Sequence, residues 1–600
     1  MVHSTVASSA QEPIAKGIRW NLGDVLPAKS GKVFTSELER FEGSLSEFEG
    51  LRSELETMDS EKFGKAMNLY ESIVGFRSRL GAYAYMYFSE DTRSQDSRTF
   101  KSRVEEIDTD TSNRTLFFDI WWKSLGESRS KELCGELKRY EYFLEKLRKT
   151  KPYTLSEQVE QAINFKDSTG RSALLQLYHQ IIDSLVFETV VGGEKKKVTA
   201  EELRDLFYSK ERQERISAYK AQNEKYYENR DLVGEIFKCL VRDWRNEGIK
   251  LRKYPSSMAI RNIANDVPDE AVEALLTVCK KNSEVFQRFF LVKAKLLQLD
   301  DYGRFDLYAP LLRAKEEQFS WKKGVDLVLG TFANFNSEFA EMAKRVFDNF
   351  HLDAESRAGK LGGAYCMSVT PQITPYVLLS YTGTARSVST LAHELGHAVH
   401  SGLSSKSNNQ LTFEAPLPLA ETASVFGEQL LVDRLMSEAD EATRRSLLVE
   451  MVGDWYATIQ RQAFFVLFER EAHERIPLGL NVDELSDIYL ENLKVQFGSS
   501  LVLGENFKNE WLGIPHIFQT PFYCYAYAWG NLMVLALYKE FKEIGAKEFV
   551  PRYLKLLSYG GSQPPEKILS EAGFDIRSEV FWQSGFDQIS SSVSELEKIA

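Results

Sequence analysis

The chain has 600 residues, 43% hydrophobic, 27% charged and 12% aromatic, with 36 Gly and 16 Pro. That much apolar material excludes wholesale disorder, and so few turn residues favour long helices over many short strands. A balance of 75 basic against 87 acidic side chains, net −12, lacks the basic footprint of a general nucleic-acid binder and disfavours an anionic membrane surface.

Residues 1–16 are small and polar and are expected to be disordered. From Trp20 to Leu185 apolar residues recur at three- and four-residue steps. Residues 62–89, 130–149, 154–165 and 170–187 are predicted helices, suited to stacked hairpins. Residues 187–191 and 195–199 flank Gly192-Gly193 and predict a β-hairpin. A boundary near residue 200 separates an N-terminal helical domain (17–200) from a second domain (201–600). Helices resume at 199–209 and continue past Arg345. Residues 363–382 form the one stretch that reads as strand, in two pieces at 364–368 and 376–381. Helices dominate from there onward.

The five cysteines, Cys134, Cys239, Cys279, Cys366 and Cys524, are widely spaced and form no C-x-x-C pair. A reducing compartment is expected, not a disulfide framework. The leading MVHSTVASSAQEPIAKG has no apolar stretch of the signal-peptide kind, and no run of about 18 apolar residues occurs. The expectation is a cytoplasmic protein with no membrane span.

Residues 390–400 read TLAHELGHAVH and hold H-E-x-x-H at His393, Glu394 and His397. On a helix, positions i and i+4 share one face, so both imidazoles can bind one zinc ion. Glu394 stands about 100° round, within reach of the metal's water as general base. A random chain with eight His and at most 87 Glu would contain about 0.016 such matches, so chance explains it poorly.

A catalytic zinc needs a third protein ligand and one open position. Residues 413–424, FEAPLPLAETAS, offer Glu421, one turn into a helix that Pro418 is suited to start. An acid among Leu419, Thr422 and Ala423 has to be paired or ligate a metal. Glu414 and Glu428 remain as alternatives. His400 lies roughly 10 Å along the axis from His393, too far to share one ion, and is expected to pack beside the site.

The segment 393–400, followed by Glu421 in EAPLPLAETAS, resembles the oligoendopeptidase F and thimet oligopeptidase family of zinc metallopeptidases. The resemblance extends to GKLGGAYC at 359–366, Trp511, IPH at 514–516 and PFYCYAYA at 521–528. It also takes in GGS at 560–562, Pro565, AG at 572–573 and WNL at 20–22. It implies a mainly α, two-lobed helical metallopeptidase with a deep central channel and a small β-sheet next to the H-E-x-x-H helix. It implies one Zn2+ per chain on His393, His397 and Glu421, with Glu394 as catalytic base. His516 and tyrosines within 523–527 become substrate-binding and transition-state groups, with Tyr527 and Tyr525 favoured over Tyr523. Ser387 and Leu361 depart from the usual acidic and basic residues of the family, which bears on substrate preference and not on the metal site.

An exposed strand at 376–381 beside the zinc helix would offer backbone hydrogen bonds to an extended peptide, and Gly362-Gly363 would let it approach closely. Tyr376, Gly362 and Gly363 are therefore candidate substrate-binding positions. The activity expected is hydrolysis of internal bonds in short oligopeptides, with a zinc-activated water as nucleophile. Exopeptidase action on the same scaffold, or a non-catalytic helical peptide-binding protein, are the alternatives. No nucleic-acid or membrane partner is expected.

Overall fold

The computed structural model describes residues 14–135, 137–311 and 318–600. The disorder expected at 1–16 lies, as far as residue 13, outside the described residues. The molecule is mostly helical. Two long N-terminal helices, Ser60–Glu90 and Gln95–Ser124, start where a side chain caps them: Asp59 accepts from the Lys62 N–H, and Ser94 from the Ser97 N–H. They meet the Gly31–Gly50 and Glu141–Lys149 helices around buried Phe48, Phe63, Phe118, Trp122 and Leu144, a core of their own. The helix expected at 130–149 is split into Glu127–Cys134 and Glu141–Lys149, because Gly135 between them takes a φ of 36° and ends the first.

The hairpin is β1 (Phe187–Val191) and β2 (Glu194–Val198), paired antiparallel, with Gly192 and Gly193 both left-handed at φ 62° and 82°. Phe187 and Val198 pack on Ala218 and Ala221 of the Arg212–Arg245 helix.

A second sheet holds β3 (Leu352–Asp353), β4 (Tyr365–Met367) and β5 (Tyr376–Leu378) in the order β3-β5-β4, β3 parallel and β4 antiparallel to β5. β3 is two residues long and has no period to read, so nothing in the chain marks it in advance. The strand expected to be exposed at 376–381 is instead the buried middle strand. Tyr376 donates its hydroxyl to the Asn21 carbonyl at 2.9 Å and stacks on His351 with ring centroids 3.7 Å apart. The edge strands are β3 and β4.

Both β4 and β5 lie against the Ala385–Ser404 helix. Trp20 ties the start of the chain to this sheet, its ring between Tyr365 and Tyr376 and its Nε1 donating to Glu90 at 2.7 Å. The remaining helices share one large core, in which Tyr525–Ile544 runs along Glu579–Ile599. Gly585 permits that approach, since a Cβ there would stand 2.5 Å from the Leu532 carbonyl. Among the described residues no helix is long and apolar enough to cross a membrane.

Candidate active site

Thr384 caps the Ala385–Ser404 helix by accepting from the Ser387 N–H at 3.2 Å. Two turns on, His393 and His397 stand on one face with their Nε2 atoms 3.2 Å apart. Gly396, between them, has no room for a side chain: a Cβ would sit 2.5 Å from both the Ala423 carbonyl and the Ser424 Cα. The chain that crosses there carries Glu421. The helix expected around this residue is interrupted. A short turn, Leu417–Ala420, with Pro418 in it, closes at Glu421, and a new helix runs Ser424–Glu438. Glu421 thus sits in the bend, aimed at the histidines. Its Oε2 lies 3.5 Å from each Nε2 and accepts from the Ser424 hydroxyl at 2.6 Å.

These three atoms make a triangle with edges of 3.2, 3.5 and 3.5 Å. A tetrahedral zinc with bonds of about 2.0–2.1 Å spaces its ligand atoms roughly 3.4 Å apart, so the set fits such an ion. Among the described residues it is the one group of three His, Cys, Asp or Glu whose donor atoms converge this way. Glu414 stands outside it. Glu428 takes a different place: its Oε1 accepts from His393 Nδ1 at 2.5 Å, which fixes the tautomer that leaves Nε2 facing the triangle. His400 is buried nearby, its pKa pushed down to about 4 by burial first and the charge on His397 second.

Glu394 is buried beside the triangle. Burial pushes its carboxyl up to about 7, against the charge of His393 and with help from Glu421 and Glu428. Burial disfavours the charged form of His393, but the Glu428 hydrogen bond and the surrounding carboxylates outweigh it and raise that ring to about 9. Cys366 of β4 faces the same region; burial, then Glu394, holds its thiol well above the ordinary value.

His516 opens the short Pro515–Gln519 helix, and the chain then reverses into Tyr525–Ile544. The reversal turns on Phe522, a bulky residue held at φ 58°. Two anchors fix it: buried Glu469 accepts from the Phe522 N–H at 2.9 Å, and half-buried Arg261 donates to the Pro521 carbonyl at 3.2 Å. The result sets Tyr527 Oη 3.5 Å from His516 Nε2 and stacks Tyr523 parallel to the His516 ring at 6.2 Å. Tyr525 does not join them. It is buried on the far side of the turn, where its hydroxyl accepts from Asn265 at 2.8 Å, because residues 523 and 527 share a face that 525 opposes. Tyr527 is within electrostatic reach of Glu421, and Gly530, one turn on, rests on it: a Cβ at Gly530 would meet Glu421 Cβ at 3.1 Å.

Gly362 and Gly363 are exposed, and space for a side chain at either is open; Gly363 needs its freedom, at φ 83°. The loop that bears them is bolted down by buried Lys360, which donates to Asp353 Oδ1 at 2.7 Å and to the Leu379 carbonyl at 2.6 Å. Sequence reasoning weighed Glu428 only as an alternative ligand and missed its hold on His393 Nδ1; it missed Lys360, Gly396 and Glu469 altogether. Of the three missed altogether, Gly396 carried a signal, a helix breaker inside an apolar helix.

A mainly helical frame with a small sheet against an H-E-x-x-H helix defines a peptidase class. Residues 206–588, well over half of the chain, match the sequence model of Peptidase family M3, and residues 121–187 match that of Oligopeptidase F. The chain belongs to peptidase family M3. It is 25% identical over 597 residues to Oligopeptidase PepF of Bacillus subtilis, covering 97% of this chain and 87% of that one. Its fold is that of a solved structure from Chlamydophila abortus, at TM-score 0.86 and 24% identity over 98% of this chain and 100% of that one. It is also that of the oligoendopeptidase-F from Enterococcus faecium, at TM-score 0.71 and 20% identity over 94% and 99%.

Proposed function

We propose that the chain is a zinc-dependent endopeptidase that hydrolyses internal bonds of short oligopeptides, with His393, His397 and Glu421 as ligands of one ion and Glu394 as general base. The observation that carries this is the converging triangle of donor atoms with a buried carboxylate beside it. When bound, the ion supplies Lewis acidity, polarising the scissile carbonyl and acidifying water. Glu394 accepts the proton of the attacking water and returns it to the leaving amine. The Tyr527 hydroxyl and the His516 ring, side by side, donate to the oxyanion as it develops. The free edge of β4 offers backbone groups to an extended peptide, and the open space over Gly362 and Gly363 lets its main chain come close.

In this reading residues 17–200 are an N-terminal helical domain and 201–600 the catalytic domain. All five cysteines are free, which suits a reducing compartment such as the cytoplasm. The test is Glu394→Gln. Turnover of a quenched fluorescent peptide should fall by about 10²–10⁴-fold or more, while zinc content by mass spectrometry stays at one per chain. Turnover that survives removes Glu394 from its role. Cleavage inside end-blocked peptides separates this activity from exopeptidase action.

A further inference from the structure

The His516 ring has no firm anchor of its own. Among the described residues its one polar contact is the Tyr527 hydroxyl at 3.5 Å, longer than a firm hydrogen bond. Its placement is therefore inherited from the backbone of the Pro515–Gln519 helix. That helix is five residues long, little more than one turn, and is closed by the Thr520 N–H on the His516 carbonyl at 2.9 Å. A turn so short has no stability of its own in water, so its neighbours decide where it stands.

One set of those neighbours comes from the first 200 residues of the chain. Three side chains on one face of the Arg171–Asp183 helix, at positions i, i+7 and i+8, grip residues 512–519 at both ends. The Tyr178 hydroxyl donates to the Leu512 carbonyl at 3.1 Å, and its fully buried ring stacks on Phe518 with centroids 3.9 Å apart. Arg171 Nη2 donates to the Gln519 carbonyl at 2.6 Å, where a cation suits the C-terminal end of a helix. The Gln519 side-chain nitrogen meets His179 Nε2 at 2.7 Å. Two residues on, Arg261 of the Ser257–Ala264 helix takes the Pro521 carbonyl, and the two guanidiniums feel each other's charge. The link from His516 to the Phe522 reversal is thus pinned at Gln519 from one helix and at Pro521 from another.

We propose that Arg171 and Tyr178 are positioning residues: through the backbone of residues 512–519 they hold His516 against Tyr527. The Arg171–Asp183 helix thereby completes the oxyanion-binding pair of a site whose donor triangle lies wholly in the later part of the chain. The inference rests on the peptidase reading, in which His516 and Tyr527 donate to the oxyanion. Neither Arg171 nor Tyr178 touches the substrate, so their loss falls on turnover and leaves ground-state binding in place. A donor displaced by about 1 Å can cost up to about 10²-fold in rate. Arg171 meets Gln519 at the surface, so its removal does not threaten the fold. Tyr178→Phe keeps the ring on Phe518 and deletes only the hydroxyl.

Arg171→Met and Tyr178→Phe are each made in the full chain and in a His516→Ala background. In the full chain each should lower kcat by about tenfold with KM within about twofold and zinc content unchanged, and Arg171→Lys should recover most of the loss. In the His516→Ala background the same substitutions should cost about twofold or less. An equal cost in both backgrounds is the mark of general structural damage and overturns the proposal. A second readout needs no turnover. Histidine labelled with carbon-13 at Cε1 gives His516 a resonance, assigned by its disappearance in His516→Ala, that senses the Tyr523 and Tyr527 rings at 6.2 and 5.8 Å. That resonance should move in Arg171→Met and in Tyr178→Phe, while those of His393 and His397 stay. An unmoved His516 resonance overturns the proposal even in a protein that cuts no peptide. A moved resonance in a protein without turnover upholds the positioning and places the failure in the peptidase reading alone.

Discussion

Glu428 acts on the donor triangle through the far nitrogen of His393, and its removal separates orientation from the proposed ligation. With Glu428→Ala the ring is free to rotate and to swap tautomers, so zinc affinity should fall by about 10–100-fold while the helices stay intact; competition with a chromogenic chelator measures it. An unchanged affinity would mean that packing alone orients His393. Glu469 is the residue-scale counterpart in the tyrosine turn. Burial lifts its carboxyl to about 8, against the Phe522 N–H and Arg261. A carboxyl raised in the folded state holds a proton that the unfolded chain releases near pH 4. Its stabilising effect is complete below that pH and is lost as pH rises through about 8. Glu469→Gln keeps an acceptor for Phe522 and has no proton to lose. Its melting temperature relative to the wild type should therefore climb between about pH 5 and pH 9. A constant difference across that range would mean that the buried carboxyl is ionised throughout.

At the scale of elements, the site is a crossing of helices, and small residues set how closely they cross. Gly396→Ala places a methyl where the Ala423 carbonyl already stands at 2.5 Å. The Ser424–Glu438 helix must move away and take Glu421 with it. Stability should drop by about 1–3 kcal/mol, and zinc affinity should fall more than turnover per bound zinc, read by metal titration and by kinetics on the loaded fraction. A loss of stability with no loss of affinity would show that Glu421 is held from elsewhere. This crossing also explains what the sequence made legible. His393, Glu394 and His397 are one turn apart on one helix, so spacing alone places them. Glu421 is near enough in sequence for its apolar neighbours to mark it out. Tyr525 looks as good a candidate as Tyr527 in the sequence because a run of tyrosines carries no phase until the position of the Phe522 reversal is known. Tyr376 was misplaced because alternation identifies a strand but not its neighbours, and the partner that buries it, β3, is two residues long.

For the whole molecule, the donor triangle is assembled by elements that each have another reason to be where they are. The H-E-x-x-H helix is buried in the main core, the Glu421–Ser424 bend is clamped between Gly396, which meets Ala423 and Ser424, and Gly530, which meets Glu421, and Ser424 and Glu428 hold the donors from outside. Behind them, Gly560 and Gly561 pack on the chain that leads to Glu421: the Gly561 N–H donates to the Thr412 carbonyl at 2.8 Å, and Tyr553 donates to the Thr422 carbonyl at 2.8 Å. If the proposed ion binds here, a site supported by this many independent contacts is expected to fold without it, in contrast to small metal-nucleated domains. Stripping the metal with a chelator should abolish peptide cleavage and leave the helical circular dichroism unchanged. The melting temperature should fall when metal is removed and climb with the logarithm of added free zinc, as binding to the native state alone requires. Activity should return on adding zinc without a refolding step. Loss of helical signal on chelation would instead make the ion a structural element, and the helix contacts around Gly396 and Gly530 would then be a consequence of ligation, not its cause.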